Sequence, residues 1–96
     1  MLRHIVCFKL KDNTPVNCAK ARDVLLSMRG RVPQIRDIEV GVDLLHSPRS
    51  FDLILQVTLD DQTALDAYQA DSFHVEVVKK HMHAVAAASV AVDYEL

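Results

Sequence analysis

The sequence predicts an α+β domain whose elements follow the order β-α-β-β-α-β. Four short segments are rich in β-branched and other strand-forming residues, and two segments between them repeat apolar residues at helical spacing. The chain has 96 residues, which is enough for one domain. We therefore expect residues 1–96 to fold as a single unit.

The first strand is predicted at residues 3–10, where strand-forming residues follow one another. Because successive side chains of a strand point to opposite faces, one face carries His4, Val6, Phe8 and Leu10. Ile5 and Cys7 lie on the opposite face, so we expect this strand to be apolar on both sides.

A helix is predicted over about 15–29. Thr14 can cap its free N–H groups, and Pro15 at the first helical position gives up only a donor that has no partner there. Gly30 is suited to the left-handed residue that ends a helix. The apolar stripe of this helix contains Cys18, Ala21, Leu25 and Met28.

Two strands follow, at Ile35–Val42 and Phe51–Leu59. The first alternates apolar and polar residues, which indicates an edge position or one solvated face. The second has one face that is entirely apolar: Phe51, Leu53, Leu55, Val57 and Leu59. The loop between the two strands contains Pro48.

The second helix is predicted in two pieces. Asp60-Asp61 caps a short amphipathic segment that reaches Tyr68, and Asp71-Ser72 interrupts it and caps a further helix over about 73–83. A fourth strand is predicted at Val85–Tyr94, although its alanines would also suit a helix. This order is the ferredoxin-like arrangement, with both helices on one face of a four-stranded antiparallel sheet.

Composition excludes several classes of protein. Half of the residues are apolar and a quarter are charged, which excludes disorder and low-complexity repeats. A net charge of −2 offers no basic surface, so we expect no nucleic-acid partner. No apolar run approaches the length of a membrane span, and the start leads into a strand without a secretory segment. We expect a cytoplasmic protein without a membrane partner.

The apolar residues predict a homodimer. Two helices cover one face of a four-stranded sheet, yet the first and fourth strands are apolar on both faces. Burying a medium apolar side chain is worth about 1.5–3 kcal/mol, and large exposed apolar patches usually mark interaction surfaces. Two sheets packed face to face would form a dimeric α+β barrel. The alternative is that some of these positions are half-buried at the periphery.

Segments along the whole chain carry a further signal. They are residues 3–11 (RHIVCFKLK), 38–41 (IEVG), 50–55 (SFDLIL), 64–69 (ALDAYQ) and 90–94 (VAVDY). In this order they resemble the stress-responsive dimeric A/B barrel (Dabb) family. The resemblance implies the ferredoxin-like fold and the dimeric barrel, with Val6, Phe8, Leu53 and Leu55 facing the barrel interior. Most members of that family have no assigned reaction, a few plant members are polyketide cyclases, and related barrels include monooxygenases and small-ligand binders.

In those cyclases a Tyr at the end of the short helix and a His six residues later serve the reaction. Tyr68 and His74 occupy the corresponding positions here, and His4 matches a family His in the first strand. At the four positions that end with this His, the family commonly has His-Pro-Xaa-His. This chain has Asp71-Ser72-Phe73-His74 there. The local charge and the substrate preference of the family therefore do not carry over.

The chemistry of these residues suits acid–base catalysis. His74 can act as base or acid near pH 7, Tyr68 can hold a carbonyl or phenol, and Asp71 can orient the imidazole. The alternative is that His74 packs at a pocket rim while Asp71 or Ser72 only caps a helix. His4 either meets a polar ligand or is a core histidine with a protein partner.

No metal or cofactor is expected. His81 and His83 are two residues apart, so on a helix they point in different directions and cannot close on one ion. The chain is too short for a separate cofactor domain, and nothing in it specifies haem.

Three functions remain open. The favoured one is a small homodimer that binds an apolar or aromatic molecule in the barrel interior, with the ligand contacting His4, Val6, Phe8, Leu53 and Leu55. The second is a cofactor-independent, polyketide-cyclase-like enzyme that uses His74 and Tyr68. The third is a structural or partner-binding domain with a fully packed interior.

Overall fold

The computed structural model describes all 96 residues. Four strands form one antiparallel sheet in the order β2-β3-β1-β4, which confirms the predicted ferredoxin-like fold. A π-helical segment at His74–Lys79 lies between the second and third α-helices. The other elements are β1 (Leu2–Leu10), α1 (Pro15–Leu26), β2 (Asp37–Val42), β3 (Leu53–Leu59), α2 (Gln62–Ala70), α3 (Lys80–Val85) and β4 (Ala86–Glu95).

Helix α1 begins as the sequence predicts and ends three residues earlier. The Thr14 hydroxyl accepts a hydrogen bond from the Asn17 backbone N–H at 3.2 Å, and Pro15 is the first helical residue. After Leu26 the backbone bonds join residues three apart, as from the Arg29 N–H to the Leu26 carbonyl. The chain therefore tightens into turns before Gly30, whose φ of 79° is the predicted left-handed conformation.

The other boundaries differ by a few residues. Strands β2 and β3 each begin two residues later than predicted, and α3 continues to Val85, two residues beyond the predicted end. Before β3, the buried Asp52 carboxylate accepts hydrogen bonds from the Leu10 N–H and the Asn13 amide. These bonds hold the loop before β3 against the end of β1, and the Asp52 N–H also donates to the Phe8 carbonyl at 2.8 Å.

The helices cover the face of the sheet that carries the uniformly apolar register of β3. Leu53, Leu55, Val57 and Leu59 are all buried there, with the neighbouring residues of β1 paired beside them. The prediction that Val6, Phe8, Leu53 and Leu55 lie on the face left for a partner subunit is wrong. Alternation shows which residues share a face, but the helices select the face that buries the most apolar surface.

The opposite face of the sheet, here called the open face, has no helix on it. Its larger apolar members come from β1, β3 and β4, and they are Ile5, Cys7, Ile54, Val90, Val92 and Tyr94. Val90 and Val92 are 53% and 61% exposed.

None of the helices combines the length and apolar composition required to cross a bilayer.

Candidate functional site

A cavity of about 270 Å³ lies between the helix-covered face of the sheet and the helices that follow α2. Its apolar wall is formed by side chains from β1, β3 and three helical segments. They are Val6, Phe8, Leu25, Leu55, Val78 and Met82. A mainly apolar cavity with a few polar groups is the usual composition of a small-molecule site.

Small residues of β4 leave this space open. In the β1–β4 ladder, Ala91 lies opposite Val6 and Ser89 lies opposite Phe8, and both line the cavity. Ala86, at the start of β4, lines it as well. Because these side chains are short, the sheet and the helices do not meet along β4.

His4 enters the cavity wall from β1 with its ring held in place by β4. His4 is 6% exposed, and its Nδ1 hydrogen-bonds the carboxylate of Asp93, its partner across the ladder. A carboxylate only accepts, so His4 donates the proton on Nδ1 to Asp93. A hydrogen-bonded carboxylate thus fixes both the tautomer and the orientation of His4.

Tyr68 lies between the two histidines near the C-terminus of α2. Its ring centroid is 5.5 Å from that of His4, in an edge arrangement, and 4.3 Å from that of His74. Tyr68 is fully buried and borders the cavity, and its hydroxyl has no hydrogen-bond partner. Burial, together with the charge of Asp93, raises the pKa of this hydroxyl, so at neutral pH it is an unused donor.

His74 opens the π-helical segment and is also 6% exposed. Its Nδ1 lies 2.9 Å from the backbone carbonyl of Tyr68. A carbonyl only accepts, so Nδ1 carries the proton and Nε2 of the neutral ring is a free base. Burial lowers the pKa of His74 and the nearby positive charge of Lys79 acts in the same direction, while the hydrogen bond to the Tyr68 carbonyl acts in the opposite one. His74 is therefore neutral near pH 7.

Asp71 does not orient the imidazole as the sequence analysis expected. Its carboxylate instead accepts a hydrogen bond from the His74 backbone N–H at 3.1 Å and so caps the turn where the helix resumes. The orienting group is the Tyr68 carbonyl. A backbone carbonyl leaves no trace in side-chain patterning, so this partner was outside the reach of sequence reasoning.

The structure brings most of the expected site residues together. His4, Tyr68 and His74 share one cavity with Val6, Phe8 and Leu55. Leu53 is not among them: it borders a separate depression beside Cys7 and Phe51. Three titratable neighbours of the site were not predicted: Asp93, Lys79 and His83. Of these, only Asp93 could have been inferred from the sequence. If β1 and β4 pair antiparallel with their predicted ends aligned, Asp93 lies next to His4.

The structure contains no group of three His, Cys, Asp or Glu side chains that could hold a metal ion. His81 and His83 lie on either side of the buried Met82 in α3, and of the two only His83 lines the cavity.

These features define the class of this protein: a small ferredoxin-like α+β domain with an apolar cavity and histidines in its wall. The model of the stress responsive A/B barrel domain matches residues 2–96. The chain therefore belongs to the stress responsive A/B barrel (Dabb) family, as the sequence resemblance indicated. No curated protein sequence matches it significantly.

Solved structures share the whole fold. A dimeric ferredoxin-like protein of unknown function from Bacteroides fragilis is 26% identical, with a TM-score of 0.82 over 99% of this chain and 95% of that one. A dimeric ferredoxin-like protein from Thermobifida fusca is 25% identical, with a TM-score of 0.84 over 99% and 90%. A hydroxynitrile lyase from Passiflora edulis is 17% identical, with a TM-score of 0.83 over 99% and 92%, and shows likeness of fold.

Proposed function

We propose that this protein is a homodimer in which each subunit binds a small, largely apolar or aromatic molecule that bears a carbonyl or hydroxyl oxygen. The observation that carries the proposal is the Tyr68 hydroxyl, a buried donor without a partner at the edge of an apolar cavity. Leaving such a group unsatisfied destabilises a protein by about 1–3 kcal/mol. A ligand oxygen that accepts this hydrogen bond would remove the penalty.

The proposed dimer forms through the open face. Its β4 residues Val90 and Val92 are more than half exposed in the single chain, although they are apolar. The similar proteins from Bacteroides fragilis and Thermobifida fusca are described as dimeric. In this arrangement the cavities stay on the helix-covered sides, so a dimer partner leaves them accessible.

The binding proposal is tested by replacing Tyr68 with phenylalanine. Tyr68→Phe removes an unsatisfied hydroxyl, so we expect the melting temperature to stay the same or rise. We expect affinity for aryl ketones and phenols to fall by about tenfold, because one net hydrogen bond is worth roughly 1 kcal/mol or somewhat more. Calorimetry and NMR shift mapping on a panel of these compounds measure both effects.

Tyr94→Phe is the matched control, because Tyr94 lies on the open face and is 42% exposed. It should leave ligand affinity unchanged. Ligand-induced shifts that cluster away from His4, Tyr68 and His74, or no binding across the panel, would contradict the proposed function.

A second candidate function is acid–base catalysis on the bound molecule. The observation in its favour is the hydrogen bond from His74 Nδ1 to the Tyr68 carbonyl, which leaves Nε2 as a base in a site that holds the ring neutral. Nε2 would take a proton from the carbon next to the ligand carbonyl, while the Tyr68 hydroxyl donates to the resulting enolate oxygen. Return of the proton from His74 completes the cycle.

Solvent deuterium exchange at that carbon, followed by NMR, tests the catalytic candidate. His74→Gln should slow the exchange by about a hundredfold or more, the usual contribution of a general base, while Tyr68→Phe should do less. Exchange at the same rate in wild type and His74→Gln would remove the catalytic role and leave ligand binding in place.

A further inference from the structure

The cavity lining is basic at the end where it reaches the surface. Lys79 is half-buried and His83 is exposed, and both line the cavity beyond the buried pair His4 and His74. The lining contains no Asp or Glu, although acidic residues outnumber Lys and Arg by 13 to 11 in the chain. The absence of acid from this surface therefore does not follow from the composition of the chain.

The two acids near the site are already engaged. The Asp93 carboxylate hydrogen-bonds His4, and the Asp71 carboxylate caps the backbone of His74. Neither forms an ion pair with Lys79, and no salt bridge in the structure involves this residue. Part of the Lys79 side chain is thus out of water without an acidic partner.

Lys79 has one contact of its own. Its ammonium group donates a hydrogen bond to the Gln69 carbonyl at 3.3 Å, near the C-terminus of α2 where a positive charge is favourable. An ammonium group has three N–H donors, so two remain after this bond. The contact holds the charge at the cavity and leaves it with capacity to bind.

We propose that the ligand of this cavity carries a carboxylate, which Lys79 binds at the cavity opening while the apolar part of the ligand enters between β4 and the helices. This inference rests on the proposed function and names its substrate class. A carboxylate accepts hydrogen bonds from the two free N–H donors of Lys79. Such charge-assisted hydrogen bonds are about twice as strong as neutral ones. The ligand is thus an apolar or aromatic acid.

The test uses two probes of the same shape, 4-butylbenzoate and 4-butylbenzamide, with affinities measured by calorimetry at pH 7.5. We expect wild type to bind the carboxylate about tenfold more tightly than the amide, and the preference to shrink as salt is added. Lys79→Gln keeps a donor for the Gln69 carbonyl but removes the charge. It should lose the preference while binding the amide as before, and Lys79→Arg should restore it.

Lys80→Gln is the matched control, since Lys80 is the adjacent exposed lysine and does not line the cavity. It should keep the full preference. Equal binding of the two probes to wild type would overturn this inference and leave the proposed function standing, as would an unchanged preference in Lys79→Gln. Failure of both probes to bind would count against the proposed function itself. The wild-type comparison and its salt dependence decide the question even where a variant is unstable.

Discussion

The two faces of the β-sheet carry similar apolar side chains but differ in what covers them. On the helix-covered face, Leu55 and Val57 are 2% and 0% exposed, and the polar groups there are held by specific partners or line the cavity. On the open face, Val92 remains 61% exposed in the single chain. Apolar composition therefore shows that a face needs a cover, but not whether the cover comes from the same chain.

The covered face also carries the polar groups that suit ligand chemistry. His4, Tyr68 and His74 are all on this side, and the Tyr68 ring contacts both histidine rings. The polar cluster of the open face is of a different kind: Arg3, Glu39 and Gln56 line a depression that contains no apolar side chain. We infer that one face is built to bind a small molecule and the other to bind a copy of the chain.

The largest expected effect is on the covered face. Leu55→Asp places a carboxylate without a partner in the core, and burying an unpaired charge is among the mutations that destabilise by about 4 kcal/mol or more. Since small domains are stable by only about 5–15 kcal/mol, we expect a largely unfolded or strongly destabilised variant. Thermal unfolding followed by circular dichroism measures the change. A wild-type melting temperature would show that Leu55 is not in the core.

The corresponding change on the open face should leave the subunit folded and separate the dimer. Val92→Asp lies at an exposed position, so the free energy of unfolding of the subunit should change by less than about 0.5 kcal/mol. Two facing carboxylates in a symmetric interface should raise the dimer dissociation constant at least tenfold. Sedimentation velocity over a concentration series measures this constant.

Val16→Asp is the control for the open face, because Val16 is 76% exposed on α1 on the other side of the sheet. Its dimer dissociation constant should equal that of wild type. A wild-type protein that stays monomeric at micromolar concentration would remove the dimer from the proposal.

The smallest expected effect is the pH dependence conferred by His74. Its pKa is lowered in the folded state by burial, so below the ordinary pKa near 6.5 the unfolded chain binds more protons than the folded one. The stability associated with the neutral ring is complete above about pH 6.5 and is lost as the pH falls toward the folded-state pKa. We expect His74→Gln to flatten this part of the stability curve in urea unfolding.

His83→Gln provides the reference, because His83 is exposed and its removal takes no buried ring out of the core. Its stability curve should run parallel to that of wild type between pH 7 and pH 5. A wild-type slope in His74→Gln would show that His74 is not the group responsible.

Sequence reasoning predicts the architecture well because the relevant signals are local. Thr14, Pro15 and Gly30 mark the first helix through hydrogen bonding and backbone conformation, and alternation marks the strands. The same alternation could not show which register of β1 and β3 the helices would cover, because that depends on packing between distant segments. The face assignment of Leu53 and Leu55 failed for this reason.

The site was predictable only where side chains carry the contact. Tyr68 and His74 were predicted from the resemblance to the Dabb family, and His4 from that resemblance together with its place on an otherwise apolar strand face. The partner of the His74 ring is a backbone carbonyl, and Lys79 resembles any surface lysine until its contact with Gln69 is known. The cavity itself arises from the short side chains of β4, whose alanines first suggested only an ambiguity between helix and strand.

The π-helical segment sets the rotational phase between His74 and the rest of the cavity wall. In a regular α-helix, residues four apart drift by roughly 40° around the axis, so a stripe of fourth residues gradually turns away. A π-helical turn contains more residues, so residues four apart drift around the axis in the opposite direction. The buried residues His74, Val78 and Met82 are spaced four apart across the junction between the π-helical segment and α3. One residue fewer in this segment would rotate its two ends by roughly 100° relative to each other. The length of the segment is therefore as much a part of the site as the histidine it presents.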